Sequence, residues 1–487
     1  MSVNSSTGPS LVESALAKNR LGVDAVMCFI ATAATPLTVV GGVVTTGFAQ
    51  TGLTGIPVAF LAVGAILLLF SVGYVAMSRQ VTNAGAFYAY IAHIGRPLGV
   101  AGAWIALAAY NALQVGLYGL LGITTAGTLE AYTGITVPWW AVGLACWLLV
   151  AVLGLQAVDL NGRILAVLLV AEIAIIAVLS ISNVFHPAGG TMDMGGLNPE
   201  NLWGPGAGAI LILAVLGFIG FEAATVYAEE SRNPRRTVPI ATYTSIIVLA
   251  LLYTFASWAM TVAVGTEDIQ ARSADEQDQL IFNLANSQLG STVMLITQIL
   301  MITSIVAATV SFHNTVARYM FSLGREGVLP SALGRTSAKS SSPRAASMIQ
   351  TIIGLAVIVI YAVLELDPLK HLFFYGGTSG GLGVLVLVTA ASIAIVKFFF
   401  TNSHSEGIWK AHLAPILATL VLCVVLYTAL SNFAILLDAP TGSILPWLIP
   451  TIYAAIAVAG ILWGLYLSVA RPQVYAKIGA GAKAVLD

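Results

Sequence analysis

Residues 216–241 read LGFIGFEAATVYAEESRNPRRTVPIA. An apolar run of membrane-helix character meets Gly217 and Gly220, and a carboxylate, Glu222, follows at once. The run ends in Glu229-Glu230, then Asn233-Pro234 and the basic pair Arg235-Arg236. A glycine inside a helix costs about 1 kcal/mol against alanine. A charge at the bilayer centre costs at least about 2.5 kcal/mol on the insertion scale. A simple anchor has no use for either feature, whereas a binding site built on an interrupted helix needs both.

The rest of the chain agrees with a membrane setting. Of 487 residues, 58% are hydrophobic and 8% charged, against roughly 25% charged in ordinary globular chains. Mean hydropathy is +0.92. Cys28, Cys146 and Cys423 sit inside apolar runs and read as small core residues, with neither disulfide nor metal-ligand spacing. The polar, serine-rich start lacks the pattern of a cleaved signal, so the first apolar run is expected to persist. No HExxH, GxSxG, Walker lysine or His/Cys cluster is present. The chain therefore reads as no enzyme, with no cofactor, no metal and no nucleic-acid partner.

A membrane helix needs about 20 mostly apolar residues. Twelve windows qualify: 23–48, 55–77, 97–124, 137–157, 160–184, 206–229, 238–264, 291–323, 346–364, 371–399, 409–431 and 445–470. Segment 84–96 reads as an amphipathic lead-in to the third. With the N-terminus inside, every lysine and arginine except Arg272 and Lys370 falls on a cytoplasmic segment or its helix ends, Lys18 included. The acidic cluster Glu267, Asp268, Asp275, Glu276 and Asp278 then lies outside. The positive-inside rule favours this orientation. It predicts a multi-pass plasma membrane protein with both termini cytoplasmic.

The first window, MCFIATAATPLTVVGG over 27–42, carries Pro36 mid-run. Proline removes a backbone donor and restricts its predecessor, here Thr35. Windows one and six hold matching places in two groups of five. An odd count inverts the second group relative to the first, and interrupted helices at matching places in inverted halves mark a transporter's substrate site. The predicted divisions are tails 1–22 and 471–487, repeats 23–184 and 206–399, and two further helices in 409–470.

The substrate-binding candidates are Thr35, Pro36, Leu37 and Thr38 with Gly217, Phe218, Ile219, Gly220 and Phe221. The weaker stripe Asn111, Gln114 and Tyr118 shares one helical face and reads equally as polar glue. Glu222 and Glu172 are the proton-coupling candidates, because intramembrane ionisable residues are functional by default. The other reading of each is a structural acid. Glu172 is too far from Arg163 to pair with it, at about 13.5 Å along a helix. Ser304 and Thr309 are cation-site candidates. His313 reads as a satisfied structural group. Glu229 and Glu230, with Arg232, Arg235 and Arg236, are placed to bridge to Arg79, Gln80 or Asn83 as a gate, and Arg318 anchors or gates. Ordinary topology-setting charge is the plainer reading of these.

The opening stretch resembles the signature of the amino acid–polyamine–organocation superfamily. The matching residues are Gly217-Phe218-Ile219-Gly220-Phe221-Glu222, Glu230, Asn233-Pro234, Arg236, Pro239 and Ala241. NAGAFYAYI (83–91) and NTVARYMFSLGREGVLP (314–330) are similar to two further family segments, with Asn83 in place of a proline. The resemblance implies an all-α LeuT-type fold, a 5+5 inverted repeat plus two helices with helices 1 and 6 broken at mid-membrane. It implies import of an amino acid by alternating access, with a proton, sodium or a counter-substrate as the coupled species and the lipid bilayer as surroundings. The family's usual G-S-G in helix 1, whose amides take a substrate carboxylate, is Thr35-Pro36-Leu37 here. TPLTVV instead resembles putrescine-importer-like members, which keeps a polyamine or other amine as the alternative substrate. The lysine that stands in for sodium in several relatives is matched by Glu172. A channel or a non-transporting sensor is the remote alternative. Oligomeric state is not encoded in any of these motifs.

Overall fold

Helix forms in each of the twelve apolar windows. The structure is a computed structural model that describes residues 16, 19–81, 83–156, 158–337, 341–402, 404–437, 439–440, 442–481 and 484, with backbone alone over 158–162. Lys18, most of the N-terminal tail, the last residues of the C-terminal tail and Ala157, which links windows four and five, lie outside the described residues.

The first window is α1 (Val23–Ala33), α2 (Pro36–Thr38), a π-helical turn at Val39–Val43, and α3 (Val44–Thr51). Then come α4 (Ile56–Ser78), the short α5 (Phe87–Ile91), α6 (Arg96–Thr133), α7 (Trp139–Gly154) and α8 (Val158–Phe185). The second half runs α9 (Ala207–Gly217), α10 (Ala223–Val226), α11 (Pro234–Val264), the loop helices α12 (Ile269–Glu276) and α13 (Leu280–Leu289), and α14 (Ser291–Glu326). α15 (Arg344–Val363), α16 (Tyr375–Thr401), α17 (Ala414–Ser431), α18 (Phe433–Leu436), α19 (Leu445–Ala470) and α20 (Pro472–Lys477) complete it. Among the described residues there is no sheet, and one parallel bridge joins Leu21 to Ser231.

Ten segments of the described chain are long and apolar enough to cross a membrane. The windows expected at 137–157 and 206–229 are shorter apolar helices, α7 of 16 residues and α9 of 11. Local chemistry bounds both. Pro138 sets the start of α7 and turns at Leu155 and Gln156 close it, while α9 stops where Gly217 leads into five consecutive turn residues, 218–222. Leu420, Val424 and Tyr427 of α17 and Leu462 and Val469 of α19 are exposed, as befits helix faces solvated by lipid rather than water. Cys423 shares that exposed face, and Cys28 and Cys146 are half-buried, so the cysteines are less enclosed than their apolar settings suggest.

Segment 84–96 differs from its expected amphipathic character. Phe87, Tyr88, Ala89, Tyr90 and Ile91 are all buried, with Tyr90 edge-on to Tyr74 at 5.2 Å. The segment is part of the core because α6 and α16 cover it on both sides.

The two interruptions are built differently and meet each other. Pro36 takes the first position of α2, where its missing N–H costs nothing. Thr35 adopts φ 46°, ψ 63°, a left-handed conformation uncommon for a β-branched residue. In the second interruption Gly220 has φ +113°, and a Cβ there would lie 2.5 Å from Ala33 Cβ. Gly220 is thus required twice over, by its own backbone angle and by the neighbouring helix end.

Gly220→Ala is therefore expected to destabilise the protein by about 1–3 kcal/mol. Gly127→Ala on α6, where nothing lies within 4 Å, is expected to be neutral or to gain up to about 1 kcal/mol. Thermal unfolding of the two variants in detergent checks the opposite signs.

Candidate functional site

Each helix interruption receives a buried carboxylate. Glu222, one residue before α10, accepts the N–H of Gly220 at 3.0 Å and the hydroxyl of Tyr110 from α6. Tyr74 of α4 donates to the Glu222 carbonyl at 3.4 Å and pairs with Thr225. Glu172 of α8 reaches the other interruption. Its Oε1 accepts the N–H of Leu37 at 2.6 Å and the hydroxyl of Ser304 on α14 at 2.7 Å. Tyr253 of α11 donates to the carbonyl of Ala34 at 3.3 Å. Both carboxylates are at most 2% exposed. Backbone groups freed by a broken helix have no water to turn to in an apolar interior, and these side chains supply the missing partners.

A cavity of about 510 Å³ runs from Ala34, Thr35, Thr38 and Ile219 at the interruptions to Gln277 and Asp278 beyond α12. Burial raises the carboxyl of Asp278 above its ordinary value. Of the expected substrate contacts, Thr35, Thr38 and Ile219 line this cavity. Pro36, Leu37, Gly217, Phe218, Gly220 and Phe221 are packed around the interruptions without lining it. Asn111 and Gln114 are turned away from it. Gln350 of α15 donates to both, at 2.8 Å to Asn111, and Gln114 lies 3.3 Å from His313 Nδ1. His313 Nε2 reaches Ser347 at 2.8 Å. The polar stripe is thus consumed in joining α6, α14 and α15. Thr309 bonds back to Ile305 of its own helix at 2.7 Å, leaving Ser304 as the hydroxyl that meets Glu172.

On the opposite side of the interruptions the molecule is closed by buried ion pairs. Arg318 makes two bonds to Glu230, at 2.7 and 3.1 Å, and its guanidinium lies 4.4 Å over the Tyr227 ring. Tyr227 stacks on Phe29 of α1 at 4.3 Å. Arg325 is bidentate on Glu229, which also accepts the N–H of Ala84 at 3.0 Å. The backbone N–H groups of Arg20 and Leu21 donate to the Glu230 carbonyl. The expected bridges to Arg79 and Gln80 do not form: Arg79 pairs with Glu406 at 3.1 Å, and Arg236 is exposed. The end of α14 carries the arginines that pair with Glu229 and Glu230, while the loop after α4 meets Glu229 through the backbone N–H of Ala84 and not through a side chain. Asn83 bonds Glu326 at 3.0 Å instead, and the same carboxylate accepts the N–H groups of Gly479 and Gly481 at 2.9 Å each.

Three contributors escaped the sequence reading: Tyr110, Tyr253 and Glu326. Tyr110 immediately precedes Asn111, so the functional face of α6 is one residue from the stripe that its polar side chains suggested. Tyrosine counts as apolar in a hydropathy window, which hides its hydroxyl.

A family profile described as "Amino acid permease" matches residues 21–465. The chain belongs to the amino acid permease family. Among its relatives, the branched-chain amino acid permease BcaP of Bacillus subtilis is 27% identical over 41% of this chain and 42% of its own length. A probable GABA permease of Pseudomonas aeruginosa is 26% identical over 68% of this chain and 70% of its own. The low-affinity putrescine importer PlaP of Escherichia coli is 22% identical over 74% and 77%. The permease thus aligns with less than half of BcaP but about three quarters of PlaP. Family and helices together make this a multi-pass membrane protein.

Removing one partner from a buried pair leaves an uncompensated charge. Glu230→Ala is expected to destabilise the permease by roughly 3–5 kcal/mol. Arg79→Ala, whose pair is partly exposed, is expected to cost about 0–1 kcal/mol. Paired thermal unfolding curves, with the exchange E230R/R318E as a partial rescue of the first, measure the difference.

Proposed function

We propose that this permease is a secondary active transporter that imports an amino acid or a small organic amine across the plasma membrane by alternating access, driven by a proton gradient. The observation that carries the reading is the pair of buried carboxylates, Glu222 and Glu172, each bonded to backbone freed at a helix interruption beside a one-ended cavity. A carboxylate in that position changes charge on taking up a proton, and with it the strength of its hold on the helix end. Tyr74, Tyr110 and Tyr319 are the titratable neighbours packed around Glu222. Among the described residues no basic side chain bonds to either carboxylate.

Sidedness follows from charge. The end closed by Arg318 and Arg325 carries most of the basic residues, so it is assigned to the cytoplasm, and the cavity opens outward. Substrate then enters past Asp278, and the closed end releases it when Glu229 and Glu230 part from α14. The blind cavity argues against a channel, since a channel needs a continuous path.

Purified protein in proteoliposomes tests this. Saturable uptake that accumulates substrate only under an inward proton gradient is expected. Glu222→Gln is expected to fold and to flatten the pH dependence of the uptake rate. An unchanged pH profile in that variant removes Glu222 from coupling, and flux without accumulation removes the active-transport reading.

A further inference from the structure

The closed end holds a third buried carboxylate, one that the transporter reading does not use. Glu326, the last residue of α14, is 1% exposed. Its bonds come from three N–H donors rather than from a cation. Asn83 gives its side-chain amide at 3.0 Å, and the backbone N–H groups of Gly479 and Gly481 reach it at 2.9 Å each. The two glycines have φ of +81° and +60°, and their N–H groups converge on one anion in the manner of a backbone nest. Asn83 is itself fixed, since its Oδ1 accepts the Ser322 hydroxyl at 3.0 Å and the Gly85 N–H at 2.9 Å. A proline, which the similar family segment carries at this place, has no side-chain amide to offer.

The glycines belong to a segment packed onto the body of the molecule. Ile478 is buried, a Cβ at Gly479 would lie 2.9 Å from Ala92 at the end of α5, and Arg96 of α6 lies 5.2 Å over the Tyr475 ring. The chain neighbours of Glu326 and Asn83 are a second, independent observation. Arg325, one residue before Glu326, is bidentate on Glu229. Ala84, one residue after Asn83, gives Glu229 its N–H at 3.0 Å. Two consecutive pairs, 83–84 and 325–326, are thus tied together twice, once through Glu229 and once through Glu326. Adjacent Cα atoms are held about 3.8 Å apart, so Asn83 cannot leave Glu326 without drawing Ala84 away from Glu229.

We propose that Glu326 and the glycine turn at 479–481 form a clasp that positions Arg325 and Ala84 to receive Glu229, so that the segment after α19 sets how firmly this end is closed. Glu326 is a positioning residue. It acts through its neighbours and does not line the cavity. Glu229 comes from the chain just after the second interruption, so loosening the clasp favours its departure and the state open at this end. The effect on closure stands on the geometry alone, and the effect on uptake rests on the transporter reading.

Hydrogen exchange of the full chain in nanodiscs is the direct test. Gly481→Pro deletes one donor and cannot adopt φ +60°, and Glu326→Gln removes the charge that the donors hold. Each variant is expected to speed exchange about tenfold in the peptides that carry Ala84 and Arg20-Leu21, whose amides donate to Glu229 and to the Glu230 carbonyl. Unchanged protection of α15 checks that the fold is intact, and should Glu326→Gln not fold, Gly481→Pro alone decides. Faster exchange confined to the residues after α19 is what a merely structural segment predicts, and it overturns the proposal, as does no change at Ala84. Uptake of radiolabelled leucine and 1,4-diaminobutane into proteoliposomes reads the consequence. For whichever probe is taken up, Gly481→Pro is expected to raise the external KM about tenfold with kcat retained, because fewer molecules present the outward cavity. Faster exchange with an unchanged KM overturns the control of closure. A wild type that takes up neither probe overturns the transporter reading and leaves the clasp to be decided by the exchange result.

Discussion

An interrupted helix in an apolar interior must find new partners for the backbone groups it frees, and the rest of this molecule is arranged around that need. An unpaired buried amide costs about 1–3 kcal/mol, and here carboxylates and tyrosine hydroxyls meet the demand. Glu172 crosses from α8 to Leu37, Tyr253 crosses from α11 to Ala34, and Tyr110 crosses from α6 to the carboxylate that holds Gly220. Each bond spans two helices. The interruptions are thereby the places where five helices are tied to one another.

A second polar system lies off the cavity and does a different job. Asn111, Gln114, His313, Ser347 and Gln350 bind α6, α14 and α15 together. Between helices in lipid there is little hydrophobic gain to be had, because the surrounding tails are as apolar as the side chains, and hydrogen bonds and close packing take over. The ion pairs of Glu229 and Glu230 with Arg325 and Arg318 join α14 of that group to the chain just after the second interruption.

Much of this was legible in the sequence. The twelve apolar windows became helix, and the breaks fell where Pro36 and Gly217–Gly220 announced them, because proline and glycine act locally and need no tertiary information. The burial of Glu222 and Glu172 followed from their apolar flanks. Partner choice did not follow. Whether Glu230 meets Arg79 or Arg318 depends on which helix end lies alongside, and a linear charge pattern carries no such distance. The stripe at Asn111 and Gln114 failed for a related reason. Periodicity places residues on one face of α6 but does not say whether that face meets a cavity or another helix.

The two interruptions are unequal as mechanical parts. Proline at position 36 fixes its own backbone torsion and restrains that of Thr35, so the first joint has one stiff geometry, tied down by Glu172. The second turns on Gly220, whose backbone has no side chain to limit it. Torsion is cheapest at the glycine. The first interruption is thus set by the covalent geometry of proline, and the second by the close approach of Ala33 to a residue without a side chain.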